Sequence, residues 1–307
     1  MELIQLTPSA YQLLGGSNAG LIVRDGRAVL VDTGLDRDTA KKILRAADSL
    51  SVRLAAVLIT HAHADHFGGA ALIRARTGAP VYAPSLEAAI ISNPILEPLY
   101  LFSGAAPISD LRHKFTLAEP CPVDNLISLP AVGAGELVIG DTALQIIPAP
   151  GHAPNQVMIG GGGACFMGDA CFAPEVLNKH GIPFYVDVDR TAATLAALPG
   201  LDESFAAFVP GHGPAAAEIA PWARENAARL AAIREAVAAG VDHADDLAHI
   251  LQSAASRFGL TIANPVIYCL TQTTVLACLS SIHALGQVEA TVIDNRLCWK
   301  RSDFNVV

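Results

Sequence analysis

Residues 61–66 read His61-Ala62-His63-Ala64-Asp65-His66 and follow directly on the apolar run Leu54–Thr60. Four metal-binding side chains at i, i+2, i+4 and i+5 match neither a helical face nor a strand face. The sequence therefore predicts a tight loop that turns several ligating groups toward one point. Imidazole nitrogen and carboxylate oxygen bind zinc at about 2.0–2.2 Å, so such a loop can supply most of one site and begin a second. Further candidates stand at the ends of other strand-like runs. Pro150-Gly151-His152 follows Thr142–Pro148, and Pro210-Gly211-His212-Gly213 follows Phe205–Val209. Phe166-Met167-Gly168-Asp169 and Val29-Leu30-Val31-Asp32 each place a carboxylate at the tip of an apolar run. A single Gly-His turn is commonly structural. Five strand ends that each deliver a ligand or an acidic support point to loops converging at the edge of a rigid sheet.

The elements that must position these residues are legible in outline. Leu21–Arg24 and Arg27–Val31 flank Asp25-Gly26, a strong hairpin signal. Ala40, Ile43, Leu44 and Ala47 give Asp36–Leu50 one apolar helical face, Leu54–Thr60 reads as a buried strand, and Phe67–Thr77 reads as a helix. Gly160–Gly163 joins the runs Val157–Ile159 and Ala164–Met167; it opens no helix, so it is a hairpin turn and not a phosphate-binding loop. Helices alternating with strands and hairpins fit two mixed sheets with helices outside. Ser85–Pro130 is too long for an ordinary connection, and its prolines and Leu96, Leu99, Tyr100, Leu101 and Phe102 predict a lid or substrate-facing insert that meets an apolar group or a second subunit. Beyond Pro221, Ala223–Ala239, Ala244–Phe258 and Thr271–Leu285 read as helices, and a hairpin turns at Asp294-Asn295.

Together the five motifs resemble the metallo-β-lactamase superfamily over about residues 1–215: Asp32 in VDTG, His61, His63, Asp65 and His66 in THAHADH, His152 in PGH, Asp169 in GDA and His212 in PGHG. The resemblance implies an α/β fold, a four-layer αββα sandwich with a dinuclear metal site at one edge of two facing sheets. By the same carry-over His61, His63 and His152 hold one metal, Asp65, His66 and His212 hold the other, and Asp169 bridges them. Asp32 becomes a buried partner that orients a ligand. Two divalent ions are implied; zinc suits the donors, and iron or manganese would also fit. Two metals about 3.5–4 Å apart make hydroxide available near neutral pH and polarise a carbonyl or phosphoryl oxygen. Asp65 has a second candidate task as acceptor of a proton from the attacking water. Family members often carry an orienting side chain in the loop after the bridging Asp, where Lys179, His180 and Tyr185 are the candidates. The three C-terminal helices and hairpin are similar in pattern to the small winged-helix-like tail of one branch, which divides the chain into a catalytic domain, 1–218, containing the 85–130 insert, and a tail domain, 219–307.

Composition agrees with a soluble enzyme. The chain has 307 residues, 52% hydrophobic and 16% charged, and much of the apolar count is alanine. No uninterrupted apolar stretch reaches the ~18–20 residues that span a bilayer. The N-terminus lacks a signal-peptide pattern, and six scattered cysteines form no CxxC pair, which predicts a cytoplasmic protein with reduced thiols. A net charge of −9 argues against a nucleic-acid partner, as does a third tail helix with His283 as its sole candidate cation. The expected partner is a small molecule, with no membrane; a homo-oligomer is the other candidate role for the insert or tail. Three functions follow. The first is hydrolysis of a thioester, ester or lactone, as in the glyoxalase II-like and lactonase-like branches. The second is a phosphodiesterase or endoribonuclease, and the third a mononuclear-iron persulfide dioxygenase.

Overall fold

A computed structural model describes residues 1–130 and 133–302, so the last five residues of the tail lie outside the described residues. Strands β1 (Glu2–Gln5), β2 (Ala10–Leu14), β3 (Ala19–Arg24), β4 (Arg27–Val31), β5 (Arg53–Leu58), β6 (Val81–Pro84) and β7 (Asn125–Ile127) form a seven-stranded sheet in sequence order. It is antiparallel from β1 to β4 and parallel from β4 to β7. Strands β8 (Gly135–Ile139), β9 (Thr142–Pro148), β10 (Val157–Gly161), β11 (Ala164–Gly168) and β12 (Ala207–Pro210) form a second sheet in the order β12-β11-β10-β9-β8.

Alternation along the strands sorts side chains into layers. In the first sheet Ile22, Val29, Val31, Ala56 and Leu58 turn inward to meet Ile146, Val157, Ile159 and Phe166 of the second. Their neighbours Leu21, Leu30, Val57 and Ile59 turn outward, against Ala40, Ile43 and Ala47 of α1 (Arg37–Ser49) and Ile73 of α3 (Ala70–Thr77). Outward residues of the second sheet, Met158, Cys165 and Met167, pack on α7 (Val188–Ala197) and α8 (Ala220–Ala239) through Leu195, Leu230 and Ile233. Three apolar seams between four layers make this the αββα sandwich. Each fully buried Leu, Ile or Val contributes about 1.5–3 kcal/mol to holding the sheets face to face.

Turn chemistry acts as expected. Asp25 and Gly26 take φ of 48° and 72°, and Gly162 and Gly163 take 60° and 82°, as two-residue hairpins require. Asp36 caps α1 by accepting the Thr39 N–H. Two expectations need correction. The hexapeptide is loop only in its first half: Ala64–Phe67 forms one helical turn, α2, because His66 N–H and Phe67 N–H both reach the His63 carbonyl. The helix expected over Phe67–Thr77 begins at Ala70, because Gly68 and Gly69 pass so close to the 33–35 loop that Cβ atoms would strike the Leu35 and Thr33 carbonyl oxygens.

The 85–130 insert holds two helices, α4 (Ser85–Ser92) and α5 (Leu96–Leu101), before a 3-10 turn at Ser109–Leu111. Pro98 is tolerated in the first turn of α5, where no intrahelical partner is lost. After β11 the chain forms α6 (Pro174–His180). The tail adds β13 (Asp245–Asp246), α9 (Leu247–Arg257), α10 (Pro265–Ala284), β14 (Val288–Ile293) and β15 (Arg296–Arg301), with a sheet ordered β13-β15-β14. Helix α10, capped by Asn264, begins at Pro265, six residues ahead of the expected Thr271. That helix is long and apolar enough to cross a membrane, with a mean hydropathy of 1.4 over its most apolar 18 residues, but 56% of that stretch is buried. Its Val275, Cys278, Leu279 and Ile282 belong to the seam behind the second sheet.

Candidate metal centre

Strand ends of both sheets meet at one edge. Asp32, one residue past β4, adopts a left-handed φ of 57° and points its carboxylate across to the end of β5. Its Oδ1 accepts the Thr60 N–H at 2.8 Å, and its Oδ2 accepts the Thr60 hydroxyl at 2.8 Å and His66 Nδ1–H at 2.9 Å. With its proton given to Asp32, the Thr60 oxygen accepts from His61 Nδ1 at 3.1 Å. Elsewhere, His152 Nδ1 donates to the Phe184 carbonyl at 2.9 Å and His212 Nδ1 donates to the Gly16 carbonyl at 2.6 Å. With Nδ1 engaged, each of these four imidazoles turns Nε2 toward the centre. His63 differs: its Nδ1 lies 3.1 Å from His61 Nε2 and 2.8 Å from His152 Nε2.

All seven expected ligands come together. Ligand atoms of His61, His63 and His152 lie within 4.8 Å of one another, as do those of Asp65, His66 and His212, and those of His61, His66 and Asp169. Asp169 stands between the groups, with Oδ1 3.4 Å from His66 Nε2 and Oδ2 3.5 Å and 3.6 Å from the Nε2 atoms of His152 and His212. His66 Nε2 and Asp169 Oδ1 are buried without a hydrogen-bond partner among the described residues. Bare nitrogens 2.8–3.1 Å apart and orphaned buried atoms are costly unless a shared cation satisfies them, so the donor set fits metal ions.

Proton states agree. Burial pushes His61 and His152 below their ordinary range and His63 down to about 3, leaving all three neutral as ligands must be. Burial acts against charge on Asp65 too, but His66 and His212 beside it bring it down to about 2. Asp169 is likewise held well below its ordinary range, because the His212 and His66 charges outweigh burial. Against burial, the two carboxylates raise His66 well above its ordinary value and His212 to about 10. Protons thus stand where cations would neutralise the acids, and loading must release them.

Among the remaining candidates, His180 ends α6 as an exposed side chain; partial loss of solvent on its inner side, then the charges of Lys179 and His212, lower its pKa. Lys179 is exposed. Tyr185 is 2% exposed; its hydroxyl lacks a partner among the described residues, and its ring lies 6.3 Å from Phe172, which lies 5.8 Å from His152. Of the insert side chains, Leu101 is buried against Val266 and Cys269 of α10, with Phe102 and Phe184 in the same cluster, while Leu99 is half-buried and Tyr100 is partly exposed.

Several contributors carry no signal in the sequence. The Phe184 ring packs edge-on 5.2 Å from His63 and 5.6 Å from His152. Glu97 of α5 is 4% exposed, and its burial, then the nearby charges of Asp65 and Glu87, hold its carboxyl well above the ordinary range. Asn18 secures the His212 turn by donating from its side chain to the Pro210 and Gly213 carbonyls at 2.8 and 2.7 Å. Gly211 leaves room for the central carboxylate: a Cβ there would lie 1.9 Å from Asp169 Oδ1.

Residues 13–216 match the model of the metallo-beta-lactamase superfamily. The chain belongs to that superfamily. A hydroxyacylglutathione hydrolase of Anaeromyxobacter dehalogenans is 31% identical over 232 residues, covering 73% of this chain and 74% of the relative. One of Albidiferax ferrireducens is 36% identical over 98 residues, 32% of this chain. The match spans 35% of that relative's length, and 45% and 42% of its counterparts from Xanthomonas euvesicatoria and Dechloromonas aromatica. A metallo-beta-lactamase family protein from Thermus thermophilus superposes with a TM-score of 0.73 at 20% identity, over 97% of this chain and 100% of that one. A beta-lactamase domain protein from Burkholderia ambifaria gives 0.71 at 18%, over 98% and 94%. These two likenesses concern the fold, and they extend over the tail. Family and relatives class this superfamily member as a metallohydrolase enzyme.

Proposed function

We propose that the chain hydrolyses a small carbonyl substrate, a thioester ahead of an ester or lactone, with two zinc ions. The observation that carries this reading is the division of the donor set into two groups with Asp169 between them. His61, His63 and His152 would hold one ion and Asp65, His66 and His212 the other, with Asp169 standing between the two groups as the candidate shared ligand. Divalent ions bound there acidify water and polarise a carbonyl oxygen. Asp32 fixes the His66 ring, the Phe184 carbonyl fixes that of His152, and Asp65, held ionised, would accept a proton from water.

Substrate class rests on the walls. Phe184 and Phe172 place apolar rings against the histidines and keep bulk water away on that side. The insert backs Phe184 with Leu101 and Phe102, a surface suited to an acyl group and not to a polyanion. The hydroxyacylglutathione hydrolase of A. dehalogenans supports a thioester. His180 is the rim candidate for orienting the substrate, and Tyr185 would act from behind Phe172. The 219–307 unit braces the catalytic part: α10, the helix that would face nucleic acid, spends its apolar side on the core. Six buried free thiols support a reducing, cytoplasmic location.

The test is metal content per chain, followed by rates on a medium-chain acyl thioester, a lactone, bis-p-nitrophenyl phosphate and single-stranded RNA with one preparation. Two ions and turnover of the carbonyl substrates are expected. Efficient RNA cleavage that falls steeply with salt, with inert carbonyl substrates, overturns the reading. A single iron with oxygen uptake on a persulfide would replace it with the dioxygenase.

A further inference from the structure

Helix α4 opens the insert, and its third residue, Glu87, is buried at 1% exposure. Among the described residues no lysine or arginine pairs with the carboxylate; it is met by two backbone amides. Oε2 accepts the Ala62 N–H at 2.9 Å and Oε1 accepts the Asn155 N–H at 2.8 Å. Ala62 separates His61 from His63, on the loop that leaves β5 of the first sheet. Asn155 lies three residues past His152, on the loop between β9 and β10 of the second. Neither N–H has a backbone acceptor among the described residues. Ala62 is 1% exposed, so without Glu87 its amide would be a buried orphan. The Asn155 side chain also donates to Ser85 Oγ at 3.4 Å, at the start of the same helix.

One carboxylate therefore ties the loop carrying two imidazoles to the loop carrying the third, across the gap between sheets. We propose that Glu87 is a positioning residue that sets the spacing of His61 and His63 relative to His152, so that the insert governs metal affinity as well as substrate contact. A carboxylate suits this task because both oxygens accept in one plane and neither has to donate. Glutamine keeps one acceptor and turns an NH2 toward the other amide. Alanine abandons both.

The proposal rests on reading the site as a metal centre, and the experiment separates the two. In metal-free protein, amide hydrogen exchange is followed at Ala62 and Asn155 for wild type, Glu87→Gln and Glu87→Ala. Zinc affinity is then measured by chelator competition, and the visible spectrum is recorded after cobalt(II) loading. Ile91→Ala, on the buried face of the same helix, is the control for loss of packing. Glu87→Ala is expected to speed exchange at both amides, weaken zinc binding about 10–100-fold and alter the cobalt spectrum. Glu87→Gln should fall between it and wild type, which keeps the test decisive if the alanine variant fails to fold. Ile91→Ala should lower the melting temperature yet keep affinity and spectrum. Wild-type affinity in the Glu87 variants, or an equal loss in Ile91→Ala, overturns the proposal. Wild-type protein that binds no metal overturns the metal reading, while the exchange data still report whether Glu87 braces both loops.

Discussion

Gly211→Ala tests the packing behind the central carboxylate. Gly211 has no left-handed backbone, so alanine meets no φ penalty and its effect comes from the added methyl. That Cβ would sit 1.9 Å from Asp169 Oδ1 and 2.8 Å from His66 Cε1, where real contacts stay beyond 3.0 Å. The backbone cannot retreat freely: Gly211 N–H donates to the Gly168 carbonyl at 2.6 Å, and its own carbonyl accepts from Asn18 N–H at 2.7 Å. The carboxylate must yield instead, by about 1.1 Å, the gap between 1.9 and 3.0 Å. Metal–ligand distances tolerate about 0.2 Å, so the displaced oxygen is lost as a ligand. The expected result is zinc affinity reduced about 10–100-fold or more at one site, and a rate lowered about 100-fold. Titration against a chromophoric chelator, with elemental analysis after dialysis, reads the first; turnover of the best carbonyl substrate reads the second. Gly16→Ala is the control, since its Cβ would meet nothing within 4 Å although its carbonyl accepts from His212. If Gly211→Ala keeps both ions as tightly as Gly16→Ala does, Asp169 is not held where a bridging ligand must be.

Two further outcomes are expected. Asp169→Ala should strip metal more completely than Asp32→Ala, because Asp169 faces both donor groups whereas Asp32 orients His66 and typically costs about 10–100-fold; equal metal retention in the two variants would refute the assigned roles. Glu97→Gln should change how stability varies with pH in metal-free protein. The folded-state pKa of Glu97 is raised, so its stabilisation is whole below the ordinary 4.5 and is lost as pH rises toward the folded value. Glutamine cannot ionise, so the variant should gain on wild type above pH 4.5 by up to about 1.4 kcal/mol per pH unit within that window; parallel urea-denaturation curves from about pH 5 to 8 would show that Glu97 is not buried as described.

The parts legible in sequence are those whose signal is local. His61, His63, Asp65 and His66 share six residues, and His152, Asp169 and His212 each sit at the tip of an apolar run beside a glycine, so type and spacing announce them. Asp25-Gly26 and Asp294-Asn295 announce their hairpins because left-handed backbone is cheap for those residues. What stayed hidden acts across distance. Glu87 reaches amides 25 and 68 positions away, and nothing around it distinguishes it from a solvated helix glutamate. Phe184 contributes a carbonyl, which every residue owns, and its ring matters because α10 and the insert fold against it. The split of the helix at Gly68-Gly69 follows from the close approach of the 33–35 loop, which appears only once β4 and β5 are paired.

The seam behind the second sheet has a consequence for how the enzyme is made. Cys165 and Met167, on the strand that leads to Asp169, pack in one cluster with Cys278, Leu279 and Trp299. A ribosome delivers residues 13–216, all that the family pattern covers, well before those partners emerge. At about 5–20 residues per second the back of the sheet stays only partly covered, by α7, for several seconds. A gene shortened to the family pattern would keep α7 on that surface but lose α8 and α10, leaving the apolar part that they cover exposed for good.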